Sequence, residues 1–341
     1  MGSTEGEEGG WTVAVVGATG GVGADLIEAL GRSSFPVGAW VLYASRSNTD
    51  GGVTVDGERH AVRPMPTTLA DDPAMDAVDL VVFATPAGVA AQQGPALAEA
   101  GIAVLDLSGD LMGDAPLVVP AVDMRPLAGF VEKRMLASPS AAAVLLSTVL
   151  APLLAGGARS VRGTVVLSAS DAGKAGMEEL SGQVVALFNH SDPPRACFPD
   201  GLAFDLQPHV GDPGEGWTSR ERRLSMEVGA ILGLPPDQVE LTVVRAPLFS
   251  GVSASLFIEG PEGLTVPKAT ELLSAVPTLT VEARGAQGPR RLIGRARAQV
   301  GRLRSLQGGG VALWAAADNL RFGSSGNAVA ILSALNRARL L

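Results

Sequence analysis

The chain has 341 residues, of which 46% are hydrophobic and 18% charged, and its formal net charge is −9. This length exceeds the size at which one hydrophobic core normally keeps growing, so we expect two domains, and the apolar content excludes a largely disordered chain. The acidic balance and the lack of a basic run in the sequence argue against nucleic acid or an anionic membrane as a partner.

The cysteine content and two unusual segments narrow the class of protein further. The single cysteine, Cys197, predicts no internal disulfide, and we expect no metal site. Residues 1–10 are acidic and glycine-rich, unlike a signal peptide, so we expect a flexible tail on a cytoplasmic protein. Residues 135–158 carry no charge and are long enough to cross a bilayer, but they contain Pro, Gly, Ser and Thr. We predict a buried helix with flanking loops there.

The first part of the chain alternates strands with helices. Residues 11–16 predict a short strand, which is followed by the segment GATGGVG and by ADLIEAL at helical spacing. The pattern also predicts strands at residues 37–44, 78–84 and 102–107, a helix at 89–100, and a loosely alternating stretch at 53–62. Because the strands are apolar throughout, we expect an α/β arrangement with a parallel sheet covered on both faces.

The pattern changes after the uncharged segment. Antiparallel strands are predicted at residues 160–168, 239–245, 253–259 and 299–304, and helices at 177–188 and 220–232. We therefore expect an α+β domain with a mostly antiparallel sheet. VALWAAADNL predicts a strand that runs into a loop, and residues 327–340 predict an apolar-faced helix able to pack back onto the first domain.

The GATGGVG segment has the composition and position of a phosphate-binding loop. Its glycines permit a tight turn and let a pyrophosphate approach the backbone, while the following helix start supplies N–H donors and a positive dipole. A glycine-rich turn alone is weak evidence, but here it lies between a strand and a helix, as a dinucleotide site requires. The residues that we expect to contact a dinucleotide are Gly17, Thr19, Gly20, Gly21, Val22 and Gly23.

The end of the second predicted strand indicates which dinucleotide is bound. Sites that prefer NAD usually carry an acidic residue there, which binds the ribose 2′-hydroxyl. This strand instead ends in Ser45, Arg46 and Ser47, a guanidinium flanked by hydroxyls, which suits a 2′-phosphate. We therefore predict NADP, with a merely solvated loop arginine as the alternative.

Several segments together are similar to the aspartate-semialdehyde dehydrogenase family, in its Usg-type branch. They are VVGATGGVG, the SRS after strand two, PLVVPAVD at 116–123, DAGKAGMEEL at 171–180, FPDGLAFDLQPHVGD at 198–212, VVRAPLFSG at 243–251 and DNLRFGSSGNAVAI at 318–331. The resemblance implies an NADP-binding Rossmann domain at residues 11–136, joined by the C-terminal helix of 318–341, and a dimerisation and catalytic-type domain at 137–317. It also implies a homodimer, a place in amino-acid biosynthesis, and Asn327 as a further cofactor contact.

In that family a cysteine at a helix start attacks an aldehyde, hydride leaves for NADP, and phosphate cleaves the resulting thioester. A helix start lowers the pKa of a thiol, and a nearby histidine serves as general base. The resemblance places the nucleophile on Ala141 and the base on Val252, so neither group is present. It keeps the substrate-binding arginine as Arg245. It places Arg223 at the family's lysine position and an arginine in the region where the family has an acidic residue. It puts Met112 and Leu167 at two further positions where the family has polar side chains.

Other nucleophiles and bases in the chain are poor substitutes. A shifted alignment would bring Ser140 or Ala142 to the nucleophile position, but a serine there would lack its base. Cys197 lies among Phe and Pro, where a small buried thiol is a simpler interpretation than a relocated nucleophile. We expect His60 and His190 to be solvated and His209 to make a structural hydrogen bond.

Three functions fit these residues. The first is a non-catalytic or regulatory homologue that keeps the fold. Such a homologue would either still bind NADP or have weakened or lost NADP binding. The second is an active NADP-dependent oxidoreductase that reduces or oxidises a small aldehyde without a thioester. The third is the family's usual reaction with replaced residues.

Overall fold

The computed structural model describes residues 10–49, 52–55, 57–260, 263–282 and 285–341. The chain divides into two compact units, one formed by Met1–Pro139 with Ser324–Leu341 and the other by Ser140–Gly323. The tail predicted at residues 1–10 lies outside the described residues except for Gly10, which is exposed.

The strands and helices follow the predicted order over most of the chain. The strands are β1 Trp11–Val16, β2 Val37–Ala44, β3 Val53–Val55, β4 Glu58–His60, β5 Val62–Pro64, β6 Leu80–Phe83, β7 Ala103–Asp106, β8 Met135–Ala137, β9 Ser160–Leu167, β10 Val239–Arg245, β11 Val252–Glu259, β12 Leu279–Glu282, β13 Ala298–Ser305 and β14 Val311–Ala317. The helices are α1 Gly21–Gly31, α2 Val89–Glu99, α3 Phe130–Lys133, α4 Ala141–Ala155, α5 Gly173–Phe188, α6 Ser219–Leu232, α7 Val266–Ser274 and α8 Ser324–Arg337.

The first unit is built on a parallel sheet in the order β5-β2-β1-β6-β7-β8, which confirms the predicted Rossmann-type architecture. Side chains of β1 alternate between its two faces, so that Val13 and Val15 enter one core while Ala14 and Val16 enter the other. The loosely alternating stretch forms the antiparallel pair β3 and β4 and the edge strand β5. Burial on both faces explains why these strands are apolar throughout.

The C-terminal helix α8 is part of this first unit. Its Ile331, Leu332 and Leu335 share one hydrophobic core with Leu26 and Leu30 of α1. The Trp11 indole Nε1–H also donates a hydrogen bond to Asn336 Oδ1 at 3.0 Å. Helix α8 therefore covers one face of the sheet that contains β1.

The second unit contains a mixed sheet in the order β10-β9-β11-β14-β13-β12. The pairs β9–β11, β11–β14 and β13–β14 are antiparallel, as predicted, and make the sheet mostly antiparallel. The prediction was wrong for β10, which pairs with β9 in parallel, and β12 is parallel to β13. The chain between β9 and β10 carries α5 and α6. This long crossover brings the chain back to the end of the sheet where β9 starts, so that β10 runs in the same direction as β9.

The uncharged segment forms β8 and the buried helix α4, which confirms the prediction of a buried helix. The helix is buried on all sides between Ala142 and Leu150, which explains why its sequence lacks a polar face. Among the described residues, no helix combines the length and apolar character needed to cross a bilayer.

The unit boundaries lie later in the chain than the predicted breaks after residues 136 and 317. Ala137 still belongs to β8, and the Ser138 N–H donates to Asp106 O, so both residues belong with the first sheet. At the other boundary, the Asn319 side chain accepts a hydrogen bond from Gly251 N–H at 2.7 Å. This contact keeps the turn after β14 in the second unit.

Candidate functional site

The glycine-rich loop between β1 and α1 depends on two glycines for its shape. Gly17 has φ +91°, and a Cβ added there would lie 2.3 Å from Ala84 O of the neighbouring strand end. A Cβ on Gly23 would lie 2.2 Å from Gly17 O. The loop therefore turns tightly at Gly17 and packs closely at Gly23, and neither position accepts a larger residue without movement of the backbone.

The start of α1 exposes backbone donors. Its N-cap residue is Gly20, no side chain of the described residues caps the helix, and its first turn holds no acidic residue. A Cβ on Gly21 would meet nothing within 4 Å, while Thr19 and Val22 are half-buried beside it. Uncapped N–H groups at the positive end of a helix, with open space before them, fit a dinucleotide pyrophosphate.

The end of β2 presents the three residues predicted to bind a 2′-phosphate. Ser45, Arg46 and Ser47 are all exposed, and the two serine hydroxyls lie 3.2 Å apart. Arg46 opens the short 3-10 turn that follows the strand. This arrangement offers one positive charge and two hydroxyls to an anion, as an NADP site requires.

Asn327 is more restricted than its predicted cofactor role suggests. It lies on α8, is 4% exposed, and its Nδ2 donates to Val118 O and to Ser138 Oγ, each at 2.9 Å. Both amide hydrogens therefore serve to hold α8 within the first unit. Only the carbonyl oxygen of the side chain is left for a cofactor.

The predicted nucleophile position, Ala141, is the first residue of α4. Ser140 is the N-cap, and its hydroxyl accepts a hydrogen bond from Ala143 N–H at 3.4 Å. A Cβ added to Gly323 would lie 2.4 Å from the Ala141 Cβ, so the turn after β14 packs directly on this alanine. The structure thus has the helix start that a nucleophile would use, with a methyl group in its place.

Glu227, which no pattern in the sequence predicts as a site residue, closes this helix start. The carboxylate is 1% exposed and accepts hydrogen bonds from Ser140 N–H at 3.2 Å, Ser140 Oγ–H at 2.5 Å and Arg223 Nε–H at 3.1 Å. The spacing of Arg223 and Glu227 predicts a helical ion pair. Nothing in the sequence indicates Ser140 as a partner, because 87 residues separate it from Glu227.

The strand register brings three predicted site residues together at the ends of neighbouring strands in the second sheet. Arg245 pairs with Leu167, and Val252 pairs with Ala317. Because Ser253 pairs with Val166 in the antiparallel ladder between them, the four strand ends lie side by side. The positions predicted for the base and for one polar contact therefore carry the buried aliphatic side chains Val252 and Leu167.

Arg245 is held on several sides. Its Nη2 donates to Asp171 Oδ2 at 3.0 Å, its Nη1 donates to Gln207 Oε1 at 3.3 Å, and its guanidinium lies 5.1 Å from the centre of the Phe198 ring. Arg220 Nη2 donates to the other oxygen of Asp171. The sequence predicted Arg245 as a site residue but not Asp171, whose role depends on the crossover that places β9 beside β10.

The remaining candidates are not organised for chemistry. Burial and the Glu179 carboxylate raise the pKa of the half-buried Cys197 thiol, which disfavours the reactive thiolate. His190 is exposed as expected, and His60 is half-buried in β4. The expected structural hydrogen bond of His209 is not present among the described residues, and its side chain is exposed. Met112 lies half-buried in the first unit, between β7 and β8.

Comparison with known proteins agrees with this architecture. Residues 12–129 match the semialdehyde dehydrogenase NAD-binding domain, and residues 150–322 match the semialdehyde dehydrogenase dimerisation domain. The chain is 30% identical to the aspartate-semialdehyde dehydrogenase of Aquifex aeolicus, covering 97% of this chain and 100% of the relative. It is 35% identical to a USG-1 protein homolog of Pseudomonas aeruginosa, covering 93% and 95%.

Solved structures show the same relationship. The crystal structure of aspartate semialdehyde dehydrogenase II complexed with ASA from Vibrio cholerae superposes with a TM-score of 0.90 at 29% identity. The match covers 96% of this chain and 98% of that one. By sequence, domain composition and fold, the chain belongs to the aspartate-semialdehyde dehydrogenase family.

Proposed function

We propose that this protein is an NADP-binding, homodimeric member of the family that does not carry out acyl-thioester chemistry and serves as a non-catalytic or regulatory homologue. The observation that carries the proposal is Ala141 at the start of α4. A methyl group has no lone pair with which to attack an aldehyde. The neighbouring strand ends of the second sheet carry Val252 and Leu167 where a base and a polar contact are expected.

Ser140 does not supply the missing nucleophile. Its hydroxyl donates to Glu227 and accepts from Ala143 N–H, so it serves as a helix cap. Glu227 is a poor general base because its carboxylate oxygens are already occupied by three hydrogen bonds, one of them from a guanidinium. The two residues are better explained as a means of closing the helix start.

NADP binding is supported by the open start of α1 and by the Ser45, Arg46 and Ser47 group after β2. The loop backbone and the N–H groups of Gly21 and Val22 would hold the pyrophosphate, and Arg46 would hold the 2′-phosphate. Bound NADP would supply a hydride acceptor. This chain would contribute binding and orientation.

Self-association is supported by the match to a dimerisation domain and by apolar side chains at one end of α5. Phe188 and Phe204 are 73% and 69% exposed, with their rings edge to face at 5.9 Å. Val185, Leu187 and Leu206 are exposed nearby in the sequence. An apolar group of this kind favours contact with a second copy of the chain.

The direct test follows NADPH absorbance with aspartate semialdehyde, phosphate and NADP, with an active relative such as the Vibrio cholerae enzyme as positive control. We expect turnover slower than the control by about ten-thousandfold or more, since nucleophile and base act as a unit. Turnover at ordinary enzyme rates would contradict the proposal. Calorimetry with NADP should show binding, and its absence would contradict the cofactor assignment.

The alternative function is an active oxidoreductase that transfers hydride directly to or from a small carbonyl compound. The retained Arg245 and the glycine loop favour it, because the first would bind an anionic substrate and the second a cofactor. Phosphate-independent oxidation of NADPH by a panel of small aldehydes would support this alternative over the first function.

A further inference from the structure

We propose that Arg220 and Arg245 form a binding site for small dicarboxylates that carry no ammonium group. The inference rests on the family membership behind the proposed function, through which Arg245 is the predicted substrate-binding arginine, and it adds the chemical class of the ligand. The guanidinium of Arg220, contributed by the first turn of α6, makes this site different from one that accepts an amino acid.

The two arginines converge on a single carboxylate. Arg220 Nη2 donates to Asp171 Oδ1, and Arg245 Nη2 donates to Asp171 Oδ2 at 3.0 Å. The side chains of Arg220, Asp171 and Arg245 are 19%, 21% and 11% exposed. The cluster is therefore mostly removed from bulk water, yet it remains accessible at its surface.

Hydrogen-bond donors in this cluster exceed acceptors. Each guanidinium carries several N–H donors, whereas the acceptors that the described residues supply are the two Asp171 oxygens and Gln207 Oε1. The Nε atoms of Arg220 and Arg245 are both buried and have no hydrogen-bond partner. Buried donors are normally satisfied, so the cluster is short of acceptors that an oxygen-rich ligand would provide.

The charges of the cluster are also unbalanced. Two guanidinium groups share one carboxylate, whereas Arg223, the next cation on the same face of α6, is paired with Glu227. Glu221 lies on α6 as well, but its carboxylate accepts hydrogen bonds from Thr218 N–H and Val243 N–H, and Arg222 is exposed. A partly buried excess positive charge favours an anion, and a second carboxylate would neutralise it.

The same charge gives the site its selectivity. An ammonium group placed beside Arg220 would meet a like charge in a partly desolvated environment, where the repulsion is poorly screened. Succinate and L-aspartate have the same two carboxylates and differ in one ammonium group. The site should therefore distinguish these two compounds although both satisfy Arg245.

The test is calorimetric titration of the full-length protein with succinate and with L-aspartate, in a low-salt buffer without phosphate. We expect succinate to bind about tenfold more tightly than L-aspartate or better. Arg220→Gln should weaken succinate binding about tenfold and bring the two affinities within about twofold of each other. Arg222→Gln changes an exposed arginine two residues away and should leave both affinities within about twofold of the wild type.

Thermal unfolding of each variant shows whether it is folded, and the comparison of the two compounds on the wild type needs no variant. Equal affinities for succinate and L-aspartate, or no binding of succinate, would overturn the proposal. Retention of the wild-type affinities by a folded Arg220→Gln protein would overturn it as well. None of these binding results depends on turnover. The dehydrogenase assay therefore tests the proposed function separately, and either proposal can fail without the other.

Discussion

The starts of α1 and α4 are two helix N-termini that follow β-strands, and they differ in whether a side chain caps the first N–H groups. At α1 the N-cap residue is Gly20, and no side chain of the described residues covers the first N–H groups. At α4 the Ser140 hydroxyl caps the helix, and the buried Glu227 carboxylate accepts both the N–H and the hydroxyl of Ser140. One end is left open to an external anion, and the other is closed by a carboxylate of the chain itself.

The comparison shows that no side chain of the described residues caps the start of α1, whereas the start of α4 is capped by Ser140, which Glu227 holds in turn. The glycine loop is tied to the fold, since a Cβ on Gly17 or Gly23 would overlap the backbone. Val252 is a buried aliphatic side chain and Ala141 carries only a methyl group, so the fold holds no polar side chain at the predicted base and nucleophile positions.

The largest expected effect is on the glycine loop. Gly17→Ala forces a side chain into positive φ and against Ala84 O, and we expect it to lower the free energy of unfolding by about 3 kcal/mol or more. Urea denaturation measures the change. Gly101→Ala is a matched control, because Gly101 has a similar φ of +87° but open space around it, and should cost about 1 kcal/mol. Equal losses in the two variants would mean that the overlap with β6 is unimportant.

The second prediction reopens the closed helix start. In the double variant Ala141→Cys with Val252→His, the helix dipole and the histidine should lower the pKa of the new thiol. Burial and Glu179 keep the pKa of Cys197 raised, so the wild-type thiol should react slowly at neutral pH and faster only as the pH rises toward that pKa. We expect the new thiol to be alkylated about tenfold faster than Cys197 at pH 7. The wild-type protein provides the reference rate, and equal rates would place the site elsewhere.

The third prediction concerns the cofactor. Arg46→Ala removes the positive charge at the end of β2 and should weaken NADP binding about tenfold, while NAD binding changes by less than about twofold. Calorimetry with both dinucleotides measures the difference. Arg63→Ala, which removes an exposed arginine from β5, serves as the control. If NADP binds equally well to the Arg46 variant, the arginine is only a solvated loop residue.

The smallest predicted effect is a gain. Gly21→Ala places a methyl group in open space on the first turn of α1, where alanine favours the helix. We expect the free energy of unfolding to rise by about 0.5–1 kcal/mol. A loss of stability would show that the space before the loop is needed by the fold, and would weaken its interpretation as a ligand site.

The sequence predicted local features well where one pattern dominates. The bounds of β1, β2 and β10 agree with their apolar runs, and the uncharged segment forms a core helix. The short elements β8 and β12 were not predicted, because runs of three or four residues give no usable periodicity. The direction of β10 was missed because strand direction depends on the path of a long crossover, which composition does not encode.

The sequence by itself determined the family and the glycine loop, and it predicted Ala141 and Val252 at the nucleophile and base positions, since these depend on local order along the chain. Only the tertiary structure revealed that Glu227 closes the start of α4 and that Asp171 joins Arg220 to Arg245. Both depend on contacts between polar or charged groups far apart in sequence. Their strength comes from burial and from strand register, and these exist only once the second sheet and its helices are assembled.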